Sequence, residues 1–106
     1  MKEHELMNNI RVELSKHGFI SFRTNVGKIR MSDGRWFDTG LPKGFSDIFA
    51  VSPEGQAVFI ECKVKPNKPT KEQEAFITVM RRQGCNAGVA YSIEEALDIC
   101  RVQKKK

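Results

Sequence analysis

The stretch from Gly44 to Lys63 constrains the fold more than any other part of the chain. Gly-Phe-Ser-Asp-Ile-Phe-Ala-Val and Ala-Val-Phe-Ile-Glu-Cys-Lys flank Ser-Pro-Glu-Gly-Gln. Two β-branched and aromatic runs around a Pro/Gly turn predict a hairpin. Centring the turn on Glu54 sets Asp47 opposite Glu61. Side chains alternate along a strand, so Asp47, Glu61 and Lys63 share one face. Ile48, Ala50, Val58, Ile60, Cys62 and Val64 take the other. A one-residue slip would send one strand's side chains to the wrong face.

Opposed side chains have Cβ atoms roughly 4.5–5.5 Å apart, where like charges destabilise a sheet. Two carboxylates ~4 Å apart repel by about 4 kcal/mol at an effective dielectric near 20. A hard divalent cation removes that repulsion, because Mg²⁺ is typically held by one or two carboxylates with phosphate and water. Lys63 beside them can bind a phosphate or help a metal activate water. The plainer alternative is that Lys63 pairs with one carboxylate at a sheet edge.

At 106 residues the chain predicts one domain, 1–106, with a single core. Its net charge of +5 favours polyanionic partners. Cys62, Cys85 and Cys100 are odd in number and lack zinc-type spacing. That argues against a disulfide framework or a cysteine metal site and favours a reducing, cytoplasmic setting. No apolar run approaches the ~20 residues of a membrane span, and the N-terminus lacks a signal-peptide apolar region. No membrane partner or small-molecule cofactor is expected. Lys104–Lys106 reads as a frayed tail.

Residues 3–17 read as an amphipathic helix, with Leu6, Met7, Ile10 and Leu14 at helical spacing and Gly18 ending it. Glu3 falls within the apolar stripe, Glu5 nearly opposite and Glu13 near the stripe's edge. An inward carboxylate implies a partner there; otherwise Glu3 sits on a fraying first turn that suits the helix dipole. Residues 19–24 alternate as a strand. Asn25-Val26-Gly27 leads to a second hairpin, residues 28–31 and 35–37 around Ser32-Asp33-Gly34, where Asp-Gly cues a type I′ turn. Arg23, Lys28, Arg30 and Arg35 interleave with Trp36 and Phe37. Cations among aromatics suit a nucleic-acid backbone and its bases; a solvated charged hairpin is the alternative.

After Lys63, a Pro-rich loop carrying Lys65 and Lys68 precedes Thr70-Lys71-Glu72-Gln73, which has the form of a capping box. The helix it opens runs to about Gln83. Gln73 lies on the stripe of Phe76, Ile77 and Met80, so it either caps the helix or faces the carboxylates. Residues 87–91 read as a buried strand. Ser92-Ile93-Glu94-Glu95 opens the last helix with a second capping box. The order α-β-β-β-β-β-α-β-α, extra hairpin included, predicts an α/β fold with a mixed β-sheet flanked by helices.

With Gly44-Phe45-Ser46-Asp47, Ile60-Glu61-Cys62-Lys63, Thr70-Lys71-Glu72-Gln73, Gly84 to Ala90 and Arg23-Thr24-Asn25-Val26-Gly27 in place, the chain resembles a stand-alone VRR-NUC domain of the PD-(D/E)XK nuclease superfamily. The resemblance runs from Glu3 to about Leu97. Ser46 stands where the family usually has a proline. The resemblance implies that Asp47, Glu61, the backbone carbonyl of Cys62 and Glu3 hold Mg²⁺ or Mn²⁺. Asp47, Glu61, Lys63, Gln73 and Glu3 then form the catalytic set, with Glu5 the alternative to Glu3. The activity implied is metal-dependent endonucleolytic cleavage of DNA, with branched substrates such as four-way junctions expected, and a homodimer. Arg23, Lys28, Arg30, Arg35, Trp36, Lys43, Lys65 and Lys68 are the candidate nucleic-acid contacts. A non-catalytic nucleic-acid-binding module of the same fold is the alternative function.

Overall fold

The structure, a computed structural model, describes residues 1–24 and 28–102, without the side chains of Lys28, Ile29 and Phe37. Asn25-Val26-Gly27 and the Lys104–Lys106 tail lie outside the described residues. Helix α1 (Glu3–Lys16) buries Leu6, Met7, Ile10 and Leu14. Lys2, at its N-cap, makes no side-chain cap bond. A missing cap forgoes about 1 kcal/mol, whereas each buried aliphatic side chain contributes roughly 1.5–3 kcal/mol. Packing therefore decides that this segment is helical. Gly18, at φ +82°, turns the chain into β1 (Ile20–Arg23).

The hairpin predicted around Glu54 forms as β4 (Ile48–Val51) and β5 (Ala57–Cys62), antiparallel, with Ile48 opposite Ile60 and Ala50 opposite Val58. This is the register read from the sequence. Helix α2 (Lys71–Arg82) then returns the chain to β6 (Asn86–Ala90), which pairs parallel with β5, and α3 (Ile93–Ile99) follows. The sheet order is β1-β4-β5-β6. Ile48, Ala50, Val58, Ile60 and Cys62 pack with α1 and α3 residues on one face. Phe59 and Ala87 pack with Ile77 of α2 on the other, joined by Phe45, Phe49 and Phe76. Because β5 lies between β4 and β6, Lys63 does not follow an edge strand; the pairing with one carboxylate that the plainer alternative held does form, to Glu61 at 3.8 Å. Among the described residues, no helix is long and apolar enough to cross a membrane.

Two local expectations need correction. Strands β2 (Lys28–Arg30) and β3 (Trp36–Asp38) form a separate two-stranded sheet, but not through a type I′ turn. The Gly34 N–H donates to Met31 O (3.0 Å) and the Met31 N–H to Arg35 O (2.7 Å), leaving Ser32, Asp33 and Gly34 as a three-residue connection. Gly34 takes φ +90°, the left-handed residue such a connection requires. At α3, Ser92 accepts the Glu95 N–H (3.1 Å) as expected, but the Glu95 carboxylate accepts from the Tyr91 N–H (2.7 Å), one residue before the N-cap. The second capping box is therefore only half formed. The box at Thr70 and Gln73 is complete.

Candidate active site

The site forms where the β4–β5 ladder ends. A Ser52 N–H bond to Gln56 O (2.9 Å) fixes the ladder's parity. Continued beyond Ile48 and Ile60, that parity makes Asp47 and Glu61 a non-hydrogen-bonded pair, the kind whose side chains lie closest. Ser46 and Cys62 would be the next hydrogen-bonded pair. Instead the chain turns aside: Ser46 O accepts from the Thr24 hydroxyl, and Asp47 O from the Thr24 N–H (2.9 Å). The Cys62 N–H, left without Ser46, donates to Asp47 Oδ2 (2.9 Å). A residue's N–H and C=O leave an antiparallel strand on the same edge, so the Cys62 carbonyl also points into this fork.

Glu61 is 2% exposed. Its Oε2 accepts from Gln73 Nε2 (3.1 Å) and lies 3.8 Å from Lys63 Nζ. Its Oε1 is buried without a hydrogen-bond partner among the described residues. Burial, followed by the neighbouring Asp47 charge, pushes the Glu61 carboxyl up to about 8; Lys63 opposes the shift incompletely. Burial and the same carboxylates push the Cys62 thiol up to about 12. Cys62 is thus a neutral thiol, and the group it can offer a hard cation is its carbonyl. Two carboxylates, one with a buried oxygen lacking a donor, and a carbonyl on the same edge fit an oxygen-preferring Mg²⁺ or Mn²⁺.

Gln73 fulfils both roles left open by its position. Its Oε1 accepts from the Thr70 N–H (2.8 Å), completing the cap, while its Nε2 donates to Glu61. Removing the side chain confounds the two roles, but Gln73→Glu separates them, because a carboxylate can still accept at the cap. If the Glu61 bond serves catalysis, Gln73→Glu, which keeps the cap acceptor but sets a second carboxylate against Glu61, lowers cleavage at least about tenfold, ~1.4 kcal/mol in the barrier, beyond what its loss of melting temperature explains. Normal turnover in Gln73→Glu, with a lowered melting temperature in Gln73→Ala, would reduce Gln73 to a cap.

Glu3 is half-buried and Glu5 exposed, as the helical stripe predicted. The Glu3 charge contributes to the upward shifts of Glu61 and Cys62. Among the described residues, no group of three or more His, Cys, Asp or Glu side chains is placed to hold a metal. Glu3 Oε2 accepts from Asn67 Nδ2 (3.3 Å).

A cavity of about 380 Å³ lies in front of the fork, lined by Asp47, Gln73, Arg23, Lys43 and Thr24 among others. Arg23 and Lys43 thus share the cavity with Asp47, and Lys43 also pairs with Glu72 (3.6 Å). Lys65 and Lys68 are exposed on the loop before α2. The hairpin cations turn inward on their own hairpin: Arg35 pairs with Asp33 (2.7 Å), and the Arg30 guanidinium lies 5.8 Å from the centre of the Trp36 ring. Trp36 remains 62% exposed; the Lys28 side chain is outside the described residues. A larger cavity, about 840 Å³, opens among Gln56, Arg81, Asn86 and Arg101 and includes none of the predicted site residues.

Residues not identified from the sequence as serving the site are Thr24, Asn67 and Gly44. Thr24 pulls Ser46 out of the ladder, and Asn67 holds Glu3. Gly44, at φ +95°, approaches α2 so closely that a Cβ would lie 2.4 Å from Glu72 O. Gly44 stood within a recognised motif; its left-handed φ and this approach together explain why a glycine is there.

A mixed sheet flanked by helices, with its central hairpin forking over a carboxylate pair and a lysine, is a nuclease-like α/β architecture. The VRR-NUC domain model matches residues 1–94, and the chain belongs to that family. A solved structure described as a VRR_NUC domain superposes with a TM-score of 0.69 at 18% identity, covering 96% of this chain and 97% of that one. No curated protein matches the chain. Family membership implies nuclease activity and fits a nucleic-acid partner.

Proposed function

We propose that this domain is a Mg²⁺- or Mn²⁺-dependent DNA endonuclease that acts as a homodimer on branched DNA, with the four-way junction as the leading substrate. The observation carrying the catalytic reading is the buried Glu61, with one oxygen lacking a donor, beside Asp47 at the fork. Asp47, Glu61 and the Cys62 carbonyl would hold the cation. When bound, the cation would acidify a water and stabilise the charge developing on phosphate. Lys63, close to Glu61, neutralises the phosphate or orients the nucleophile. Gln73 fixes the Glu61 carboxylate, and Arg23 and Lys43 attract the backbone into the cavity. The complete Asp, Glu and Lys set favours this reading over a binding module of the same fold.

The dimer and the junction rest on size and charge. One small domain with one carboxylate fork offers little surface for a branched substrate, whereas a twofold pair presents two forks to symmetry-related strands. Specificity should follow DNA shape, and binding should weaken steeply with salt as backbone contacts release counterions. The test incubates labelled linear, nicked, flap and four-way-junction DNA with Mg²⁺, Mn²⁺ or EDTA, alongside light scattering at micromolar protein. Symmetric paired incisions on the junction, abolished by EDTA, and a dimeric mass are expected. A monomeric mass with equal cutting of linear duplex and junction would refute the dimer and the substrate. No cleavage with either metal would return the domain to a binding role.

A further inference from the structure

We propose that Asn67 is a positioning residue that holds Glu3 toward the carboxylate fork, with Tyr91 fixing Asn67; this rests on the metal-site reading above. Glu3 is the first residue of α1, where helices fray, and Lys2 provides no side-chain cap. Left alone, a carboxylate there would sample solvent. Asn67 Nδ2 reaches it from the loop between β5 and α2, 64 positions away.

That loop is itself tied down. The Asn67 N–H donates to Val64 O (2.9 Å), and Asn67 O accepts from the Tyr91 hydroxyl (2.9 Å). Tyr91 follows β6 directly, and its N–H is held by Glu95. A chain of bonds thus runs from the end of β6 through the loop to the start of α1. Its terminus is the one carboxylate of α1's first turn whose charge is felt at both Glu61 and Cys62. Glu5, on the same turn, is exposed and has no such link. Asn67 therefore acts on the cation site through Glu3, by keeping a third negative charge near it without making it a ligand.

A purely structural Asn67–Glu3 bond predicts only a small drop in melting temperature, since the pair is exposed. The discriminating experiment measures Mn²⁺ affinity of the DNA-free protein by electron paramagnetic resonance, with melting temperature and cleavage rate in parallel. The variants are Asn67→Ala, Tyr91→Phe, Glu3→Gln and the Asn67→Ala/Glu3→Gln pair. Asn67→Ala is expected to weaken Mn²⁺ binding severalfold, to the level of Glu3→Gln, with Tyr91→Phe weaker in the same direction. The double variant should bind no worse than Glu3→Gln alone, since residues acting through one another do not add. Unchanged Mn²⁺ affinity in Asn67→Ala, or additive losses in the double variant, would overturn the proposal. A wild-type protein that shows this coupling but cuts no DNA would support the positioning role while removing the nuclease reading.

Discussion

Glu61→Gln is expected to abolish cleavage and, in metal-free protein, to raise the melting temperature, with the larger gain at higher pH. The cause is the isolation of Glu61. Unfolded, it ionises near 4.5, as an ordinary glutamate does; folded, it keeps its proton to about 8. Between those values the native state binds the extra proton. The Glu61 contribution to native stability is therefore fully present at low pH, is lost as pH rises across that window, and levels off above it. An amide at this position cannot ionise, so the variant's pH profile should be nearly flat where the wild type declines. Cation binding needs the carboxylate, so wild-type cleavage at limiting Mg²⁺ should rise with pH toward about 8. Asp47→Ala and Lys63→Ala should also lose cleavage while melting cooperatively. Wild-type rates in two of the three variants, or a wild-type pH slope persisting in Glu61→Gln, would sink this account.

Gly44→Ala should be the most damaging glycine-to-alanine change among the described residues. The left-handed φ of +95° already disfavours a side chain, at roughly 1–3 kcal/mol. The added carbon would also meet backbone, 2.4 Å from Glu72 O and 2.6 Å from Glu72 C, which no rotamer change can relieve. Either the loop or the first turn of α2 must shift, and that turn carries Gln73 to Glu61. Stability should fall by about 2 kcal/mol or more, on the order of 10 °C in melting temperature for a domain of this size. Cleavage should fall further than stability explains. Gly55→Ala is the comparison: its φ of +87° is similar, but nothing lies within 4 Å. Equal melting shifts in the two variants would mean that the approach to Glu72 carries no cost.

What could be read from the chain and what could not divide along a physical line. The register of β4 and β5 was legible because Pro53 and Gly55 mark the turn and two-residue alternation does the rest. Glu3 and Gln73 were legible as inward-facing positions, since 3.6-residue periodicity fixes a direction. Periodicity says nothing of what waits in that direction, so the Asn67 partner of Glu3 and the double role of Gln73 emerged only from the packing of distant segments. The turn at Gly34 was misread because a dipeptide cue does not count the residues that strand pairing leaves over. The reciprocal half of the second capping box was misread because the Glu95 side chain had another backbone N–H within reach, at Tyr91.

The bonds from Thr24 to Ser46 and Asp47 have a consequence for how this domain can diversify. They join the chain before the β2–β3 hairpin to the chain after it, Thr24 and Ser46 being 22 positions apart, so the excursion leaves the sheet and returns to almost the same place. The β2 and β3 strands pair with each other and add no strand to the four-stranded sheet. Lengthening such a closed detour costs little, since closure entropy grows only with the logarithm of loop length. The hairpin is thus an exchangeable cartridge: its tip can be rebuilt for a different nucleic-acid shape while the clasp at Thr24 keeps the carboxylates in register.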